Sequence, residues 1–513
     1  MTEQQAPPDA RSPAQVRGPV VESPRVPLMA KPTLAAALTA LAILALQLIP
    51  GLAPALRPMA PQEPASGTMT LSEAARTPHL DEVGQTTLTE ESGSRPELAQ
   101  PEHVELPTAP RGPIASRQEE DFALPDVKAE KPPVPIEGQE GLLGFYEALD
   151  RTQRGEGGAI TRVAHFGDSI VVSDLVSGTL RRKLQDQFGD AGHGFVLLAG
   201  AWPAYHHNDV YRWASSGWKL SRIVGPVTAD GLYGLGGVTF SAPPGARARF
   251  GTAKSGSYGR KLSRFELVYL EQPGACRFEL LVDGEHHSFL DAVGAAKRLR
   301  HHVIRLVPGE HEIEVVTRAG TCRAFGAILE NEGPGVVLDA LGVQGARIRF
   351  LDKQDDEHWA RQLELRRPDL LLFQFGANES ADGFAYPMDE YHQTMADIVR
   401  QSMLAVPKAG CLIMGAMDRA RKEEDRLVSL PIMPHIVKEQ RAVAKELGCG
   451  FFDTRAAMGG SGSMARWVRR GLGQADFTHP TGYGAEVLGN WLYRALIQGY
   501  NSRSEVRAGS TEP

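Results

Sequence analysis

The sequence predicts an α/β domain with a doubly wound parallel sheet, which is interrupted by a β-sandwich and preceded by one transmembrane helix and a disordered linker. Three observations lead to this prediction. Apolar strand patterns alternate with helical patterns in residues 139–204 and again in 333–500. The residues between these stretches form short β-rich runs, and one long uncharged apolar run stands near the N-terminus.

The N-terminal segment is polar and rich in proline, and we expect residues 1–31 to be a disordered cytoplasmic tail. No charged residue falls between Lys31 and Arg57. A helix that spans a bilayer needs about 17 to 25 mainly apolar residues, so residues 32–56 are predicted to be a single-pass signal anchor. The basic residues before it favour a cytoplasmic N-terminus. A cleaved signal peptide and a buried internal helix are the alternatives.

The next segment, residues 57–138, is rich in Pro, Glu, Ser and Thr and poor in aromatic residues. It buries too little apolar surface to offset the entropy of an ordered chain, so we predict a disordered tether. Residues 501–513 are predicted to be a disordered tail. The folded part then begins near Leu142, on the side of the membrane opposite the cytoplasm.

Both α/β stretches show strands and helices in strict alternation, which is typical of a parallel sheet covered on both faces. The predicted strands are Thr161–Phe166, Val336–Val343, Leu370–Phe375, Gly410–Gly415 and Gly450–Asp453. The predicted helices are Leu142–Arg151, Asp174–Phe188, Asp356–Arg366, Asp389–Leu404, Pro434–Leu447 and Gly482–Leu496.

The stretch between them, residues 205–332, contains six β-rich runs, such as "SRFELVYLE" and "HEIEVVTRA", separated by Gly, Pro and Asp turns. This pattern predicts an inserted β-sandwich. Aromatic residues crowd its start, where we favour core packing over stacking on sugar rings. They are Trp202, Tyr205, Tyr211, Trp213, Trp218 and Tyr233.

Composition and cysteines narrow the class of protein. A formal net charge of -7 without a clustered basic surface gives no indication of a nucleic-acid partner. The four cysteines include no CxxC pair, which argues against a zinc site. Cys276 and Cys322 can pair if the domain is exported, or stay free. Cys411 and Cys449 are predicted to be buried thiols.

Three polar clusters follow predicted strands, at the sheet edge where ligands bind in open α/β folds. They are Gly167-Asp168-Ser169, the "GANES" segment with Asn378, and a "DFTH" segment with Asp476 and His479. Together they supply a nucleophile, an oxyanion donor, an orienting carboxylate and a base, as acyl transfer requires. Each cluster alone is more typical of a turn or a helix cap. The "AMGGSGSM" run and Trp467 are expected near the mouth of the site.

These clusters resemble the sequence blocks of the SGNH (GDSL-type) hydrolase superfamily. "FGDSI" resembles the first block, "FGANES" the third and "DFTHPTGYG" the last. "LGVQGARI" is the best match to the glycine block, with Gly345 as the oxyanion glycine and Gly342 as the alternative. Further segments resemble the bacterial peptidoglycan O-acetylesterase and O-acetyltransferase-like group, although Ile170 and Gln344 depart from its usual residues.

The resemblance implies a flavodoxin-like sheet with a carbohydrate-binding-module-like β-sandwich between the first and second blocks. It also implies a mechanism. His479 takes the proton of Ser169, Asp476 orients His479, and the oxyanion is held by Ser169, Gly345 and Asn378. Asp168 is expected to be a structural cap. The mechanism needs no metal and no cofactor.

We therefore expect a serine esterase or acyltransferase that acts on an O-acetylated cell-envelope polysaccharide, with peptidoglycan as the leading candidate. The expected location is the bacterial inner membrane, with the catalytic domain in the periplasm. Two alternatives remain open. One is a non-catalytic glycan-binding or scaffold protein of the cell wall, and the other is an esterase or lipase of small or lipid esters.

Overall fold

The structure, a computed structural model, describes residues 132–274, 276–424 and 426–509, with side chains as far as Arg503. The predicted tail 1–31 and signal anchor 32–56 lie outside the described residues. Within the described part of the chain, no helix is both long enough and apolar enough to cross a membrane.

The α/β domain is built on a five-stranded sheet in which all strands run parallel. Its strands, in chain order, are β1 (Ile160–Gly167), β13 (Gly335–Gly342), β14 (Leu370–Gln374), β15 (Gly410–Met414) and β18 (Gly450–Phe452). Their order in the sheet is β13-β1-β14-β15-β18. This is the flavodoxin-like order 2-1-3-4-5, so the predicted parallel α/β sheet is confirmed.

Helices cover both faces of this sheet because its strands are apolar on both sides. Val163 and Leu372 pack into one layer, whereas Phe166 and Phe373 pack into the other. The first layer contains α1 (Leu143–Gln153), α3 (Leu175–Phe188) and α9 (Gly482–Gly509). The second contains α4 (Asp356–Arg366), α5 (Met388–Ala405) and α6 (Met433–Leu447). Three short helices complete the domain, namely α2 (Ser169–Val172), α7 (Thr454–Ala457) and α8 (Ser463–Arg469).

The ends of the folded region differ from the prediction. The end of the predicted linker is ordered, because Ile136 is buried and Glu137 exchanges two backbone hydrogen bonds with Phe451 of β18. At the other end, α9 continues to Gly509, into the predicted disordered tail. Arg503 on this helix pairs with Asp150 of α1 at 3.3 Å, which holds the last turns against the domain.

Between β1 and β13 the chain forms two antiparallel sheets. The first contains β2 (Gly192–Val196), β4 (Lys219–Arg222), β5 (Val238–Ala242), β7 (Leu262–Glu271), β10 (Arg298–Gly309) and β12 (Cys322–Glu330). The second contains β3 (Val210–Ala214), β6 (Arg247–Thr252), β8 (Arg277–Val282), β9 (Glu285–Asp291) and β11 (Glu312–Ala319). Aromatic contacts such as Phe250–Phe265, at 5.7 Å between ring centroids, join their inner faces. The strand β2 lies ahead of residue 205, at which the insertion was predicted to begin.

All four cysteines form disulfides. The Cys276–Cys322 bond joins the two antiparallel sheets. The Cys411–Cys449 bond corrects the prediction of buried thiols. In the register of β15 and β18, Leu412 is paired with Gly450, so the two preceding cysteines lie side by side.

Four of the six aromatic residues at the start of the insertion are buried, as predicted for core packing: Trp202, Tyr205, Trp218 and Tyr233. Tyr211 and Trp213 are different. They are two residues apart on β3 and therefore lie on one face of the strand. Trp213 is 41% exposed, and the guanidinium of Arg249 lies 5.1 Å from its ring centroid.

A buried ionic cluster joins the insertion to the α/β domain. Arg366 of α4 makes two hydrogen bonds to Asp339 of β13, of 2.6 and 2.9 Å, and a third to Glu330 of β12. Arg162 of β1 binds the same Glu330 at 2.9 and 3.0 Å. Burial alone raises the pKa of Glu330, but the guanidinium groups of Arg366 and Arg162 more than offset this and lower it. The glutamate is therefore ionised and fully paired inside the protein.

Replacing Arg366 with methionine is expected to destabilise the fold by about 3–5 kcal/mol, because it leaves buried carboxylates without their main partner. Urea denaturation measures this change in the free energy of unfolding. Arg305→Met is the matched control, since Arg305 and Glu332 form an exposed pair at 3.0 Å. Its effect should stay below about 1 kcal/mol. Equal effects of the two substitutions would contradict a structural role for the cluster.

A second ionic contact predicts a pH dependence of stability. His392 of α5 lies 2.9 Å from Glu446 and 3.1 Å from Glu439, both of α6, and these carboxylates raise its pKa. The stabilisation is therefore fully present below the unfolded-state pKa of about 6.5, and it is lost as the pH rises through the higher folded-state pKa.

His392→Gln should therefore lower the urea midpoint most between about pH 5 and 6, where the carboxylates are still ionised and the histidine is charged. The difference from the native protein should shrink as the pH rises further. A Glu439→Gln/Glu446→Gln double variant should lose the same pH dependence. A difference that stays constant from acidic to alkaline pH would contradict this account.

Candidate active site

Ser169 lies directly beyond the carboxyl end of β1, as the first residue of α2. The chain turns tightly there because Gly167 has no side chain: a Cβ at this position would lie 2.3 Å from Cγ2 of Val171. Asp168 is the expected cap, and its Oδ1 accepts the N–H of Ile170 at 3.0 Å. As the first residue of a helix, Ser169 has a backbone N–H without an intrahelical acceptor.

The loop before α9, residues 470–481 (the histidine loop), carries Asp476 and His479. Phe477 between them adopts a left-handed backbone conformation with φ of 55°, which costs a residue with a side chain roughly 1–2 kcal/mol. This turn lets Oδ1 of Asp476 accept the N–H groups of Thr478 and His479, at 2.9 and 3.0 Å. The carboxylate is thereby held beside the histidine ring.

The structure brings Ser169, His479 and Asp476 into one hydrogen-bonded chain. Oγ of Ser169 lies 2.7 Å from Nε2 of His479, and Nδ1 of His479 lies 2.6 Å from Oδ2 of Asp476. Partial burial raises the pKa of Asp476, but hydrogen bonds from the His479 side chain and backbone outweigh this and lower it. The aspartate is therefore ionised at neutral pH. The arrangement can activate a serine hydroxyl and stabilise an imidazolium.

Asn378 lies in the loop between β14 and α5, residues 375–387 (the asparagine loop). This loop lies beside the one between β13 and α4, residues 343–355 (the glycine loop). Nδ2 of Asn378 donates one hydrogen bond to the carbonyl of Ala346, at 2.9 Å, which leaves a second N–H on the same atom. Gly345 is exposed, with φ of 78° and open space where a side chain would stand. The alternative, Gly342, instead ends β13, where a Cβ would lie 2.3 Å from the backbone nitrogen of Val172. The absence of a side chain at Gly342 therefore allows α2 to pack closely against β13.

Two buried carboxyl groups lie behind the serine. Glu379 accepts the N–H groups of Ile348 and Gly376, at 2.8 and 3.0 Å, and so joins the asparagine loop to the glycine loop. Burial raises the pKa of Glu379. Burial, with a smaller contribution from the charge of Glu379, also raises the pKa of Asp168 to about 7.

Sequence reasoning missed Arg419, which contacts both the asparagine loop and the histidine loop. An arginine just beyond the carboxyl end of β15 was the available signal. Trp467 is a correction: it is buried against Trp491, at 5.8 Å between ring centroids, and does not line the mouth of the site. Its apolar ring completes the core beneath α9.

Known proteins are similar to this chain in sequence and in fold. Residues 310–487 match the model of the GDSL-like Lipase/Acylhydrolase family. The matched segment includes Gly345, Asn378, Asp476 and His479, but Ser169 precedes it because the insertion separates the first block from the others. No curated protein sequence matches this chain significantly.

Among solved structures, that of a peptidoglycan O-acetylesterase is 22% identical to this chain, with a TM-score of 0.60 over 70% of this chain and 96% of that one. The two chains share a fold. An acetylxylan esterase, Axe2 from Geobacillus stearothermophilus, is 20% identical and covers 32% of this chain and 73% of its own, with a TM-score of 0.25. A family two carbohydrate esterase from Cellvibrio japonicus is 11% identical and covers 57% and 98%, with a TM-score of 0.23.

Residues 310–487 are thus similar to the GDSL-like lipase/acylhydrolase family, and the predicted resemblance to GDSL-type hydrolases is confirmed. With its hydrogen-bonded serine, histidine and aspartate, the chain is a carboxylic ester hydrolase.

The packing at Gly342 provides a test of how the serine is positioned. Gly342→Ala should push α2 away from β13, because the new Cβ would lie 2.6 Å from the carbonyl carbon of Val171 as well. Since α2 begins at Ser169, a shift of about 1 Å should lower kcat for p-nitrophenyl acetate by about 10²-fold.

The control for this variant is Gly157→Ala, at a position where a Cβ would meet no atom within 4 Å. Its kcat should equal that of the unaltered protein. Full activity of Gly342→Ala would show that the contact between α2 and β13 does not set the position of the serine.

Proposed function

We propose that this protein is a serine esterase of the SGNH type that removes or transfers O-acetyl groups on a cell-envelope polysaccharide, with peptidoglycan as the first candidate. The observation that carries the proposal is the hydrogen-bonded chain from Ser169 through His479 to Asp476. This chain of hydrogen bonds lies at the carboxyl edge of the parallel sheet. Beside it lies Asn378, whose Nδ2 has a second N–H available to donate.

In the first half-reaction, Nε2 of His479 takes the proton of Ser169 while Oγ attacks the acetyl carbonyl carbon. Asp476, ionised because its pKa is lowered, stabilises the imidazolium that forms. The backbone N–H groups of Ser169 and Gly345 and the Nδ2 of Asn378 stabilise the oxyanion. The tetrahedral intermediate then collapses, the C–O bond to the sugar breaks, and His479 returns the proton to the sugar oxygen.

In the second half-reaction, an acceptor hydroxyl attacks the acetyl-serine and gives its proton to His479. The bond between the acetyl carbon and Oγ then breaks, and His479 returns the proton to Ser169. If the acceptor is water, acetate is released and the enzyme is an esterase. If the acceptor is a sugar hydroxyl, the acetyl group is transferred. The same residues serve both outcomes, because only the occupant of the acceptor position differs.

Two features support a polymeric substrate. The side chains of His479 and Asp476 are 31% and 46% exposed, so the reacting groups stand on an open surface that a long chain can approach. The inserted sandwich also presents Tyr211 and Trp213 on one outer face, where planar rings suit stacking on sugars. The fold shared with a peptidoglycan O-acetylesterase extends over 96% of that chain and makes peptidoglycan the first polymer to test.

The cysteines support a location outside the cytoplasm. Both pairs are joined as disulfides, and such bonds persist in oxidising compartments such as the periplasm. Together with the apolar run at 32–56, this favours a periplasmic domain tethered to the inner membrane by residues 57–131.

The test is acetate release by the purified protein from p-nitrophenyl acetate and from O-acetylated peptidoglycan. Ser169→Ala should lower kcat by about 10⁴- to 10⁶-fold, because no nucleophile remains. Asn378→Ala should lower it by about 10²–10³-fold, through the loss of one oxyanion donor. Movement of acetyl onto an added sugar, in place of acetate release, would assign the transferase reaction.

The matched control is Ser502→Ala, at an exposed position about 20 residues along α9 from the helix start, which should leave activity unchanged. If the native protein and Ser169→Ala are equally inactive but still bind glycan, the protein is a glycan-binding scaffold and the catalytic proposal is wrong. Activity on p-nitrophenyl acetate and lipid esters without activity on any acetylated glycan would favour the small-ester alternative.

A further inference from the structure

Arg419 occupies a central place among the loops of the site. It follows β15 and precedes a short hairpin formed by β16 (Ala420–Glu423) and β17 (Arg426–Ser429). Its Nε donates to Oγ1 of Thr478 at 3.1 Å. Its Nη1 donates to Oγ of Ser380 at 2.6 Å and to the carbonyl oxygen of Ala377.

These partners are the immediate neighbours of the reacting groups. Thr478 precedes His479 in the chain, and Ala377 precedes Asn378. One planar guanidinium therefore binds the side-chain hydroxyl of the residue before the base and the backbone carbonyl of the residue before the oxyanion donor. The adjacent residue adds a backbone hydrogen bond, since the N–H of Ala420 donates to the carbonyl of Phe477 at 3.1 Å.

The asparagine loop is fixed to the glycine loop by separate contacts. Arg347 pairs with Asp382 at 2.6 Å, and Glu379 accepts the N–H of Ile348. These contacts hold the oxyanion donors together, but they do not reach His479. The distance between His479 and Asn378 therefore depends on a contact between the histidine loop and the asparagine loop. The guanidinium of Arg419 provides this contact.

We propose that Arg419 is a positioning residue that sets the placement of His479 relative to Asn378, an inference that rests on the proposed serine esterase function. The guanidinium suits this task because its donors have a fixed fork geometry, whereas a lysine ammonium is a single point donor on a flexible stem. Burial lowers the pKa of Arg419, and the negative charges of Asp168 and Asp476 oppose that shift.

The proposal predicts an effect on kcat rather than on substrate binding. Arg419→Met removes all three hydrogen bonds while it keeps much of the side-chain volume. With base and oxyanion donor displaced by about 1 Å, kcat for p-nitrophenyl acetate should fall about 10²-fold. KM should stay within about threefold, because the hydrogen bonds of Arg419 all go to protein groups and its removal deletes no group assigned to substrate binding. Arg419→Lys should restore part of the loss, to roughly tenfold below the native value.

The matched control is Arg421→Met, two residues further along the chain, in the first strand of the hairpin. Arg421 is exposed and pairs with Glu423, so its loss should leave kcat and KM unchanged. Circular dichroism and thermal melting of each variant report the folded fraction at the assay temperature.

The outcomes separate the two proposals. If the native protein hydrolyses the ester, Ser169→Ala does not, and Arg419→Met keeps native kcat, the positioning role is wrong and the esterase function stands. If Arg419→Met loses activity only in proportion to its unfolded fraction, the residue is merely structural and the inference is again overturned. If the native protein and Ser169→Ala are both inactive on every ester, it is the esterase function itself that fails.

Discussion

The site depends on the register of three parallel strands. Gly167 at the end of β1 is paired with Gly342 of β13 on one side and with Gln374 of β14 on the other. All three strands therefore end at the same level, and Ser169, Gly345 and Asn378 follow only two, three and four residues later. A slip of one residue in either pairing would move these groups by more than 3 Å relative to one another. The glycines at the strand ends permit this level edge, because side chains there would collide with α2.

The insertion does not disturb this edge of the sheet, because its ionic contacts with the sheet lie nearer the amino ends of the strands. Glu330, near the end of the last strand of the sandwich, binds arginines from β1 and α4, and Asp339 of β13 accepts the N–H of Phe195 in β2. These charges are buried and paired with one another, so the contact between the sandwich and the α/β domain has one defined geometry. The sandwich is thus carried at a set orientation to the sheet that bears the serine.

Much of the fold and the site residues were predictable from local patterns. The helix Asp356–Arg366 was predicted with its observed bounds, and Asp355 caps it, since its side chain accepts the N–H of His358. The sandwich strands β3, β4 and β9 were missed, since their residues are mainly polar or half exposed and show little alternation. The Cys411–Cys449 bond was missed because pairing depends on which strands are neighbours. The contribution of Arg419 is tertiary: its position after β15 was a weak signal, but its partners come from loops 42 and 59 residues away, which local patterns do not identify.

The hydrogen bond between Ser169 and His479 closes a separation of 310 residues. The whole sandwich and four of the five parallel strands lie between these two residues. The contact order of the site is therefore high, and contacts of this kind form slowly. A nascent chain emerges with its N-terminal part first, so the serine appears well before the base that would activate it. The incomplete protein therefore carries an inert hydroxyl, and reactivity toward esters begins only when the last loop docks.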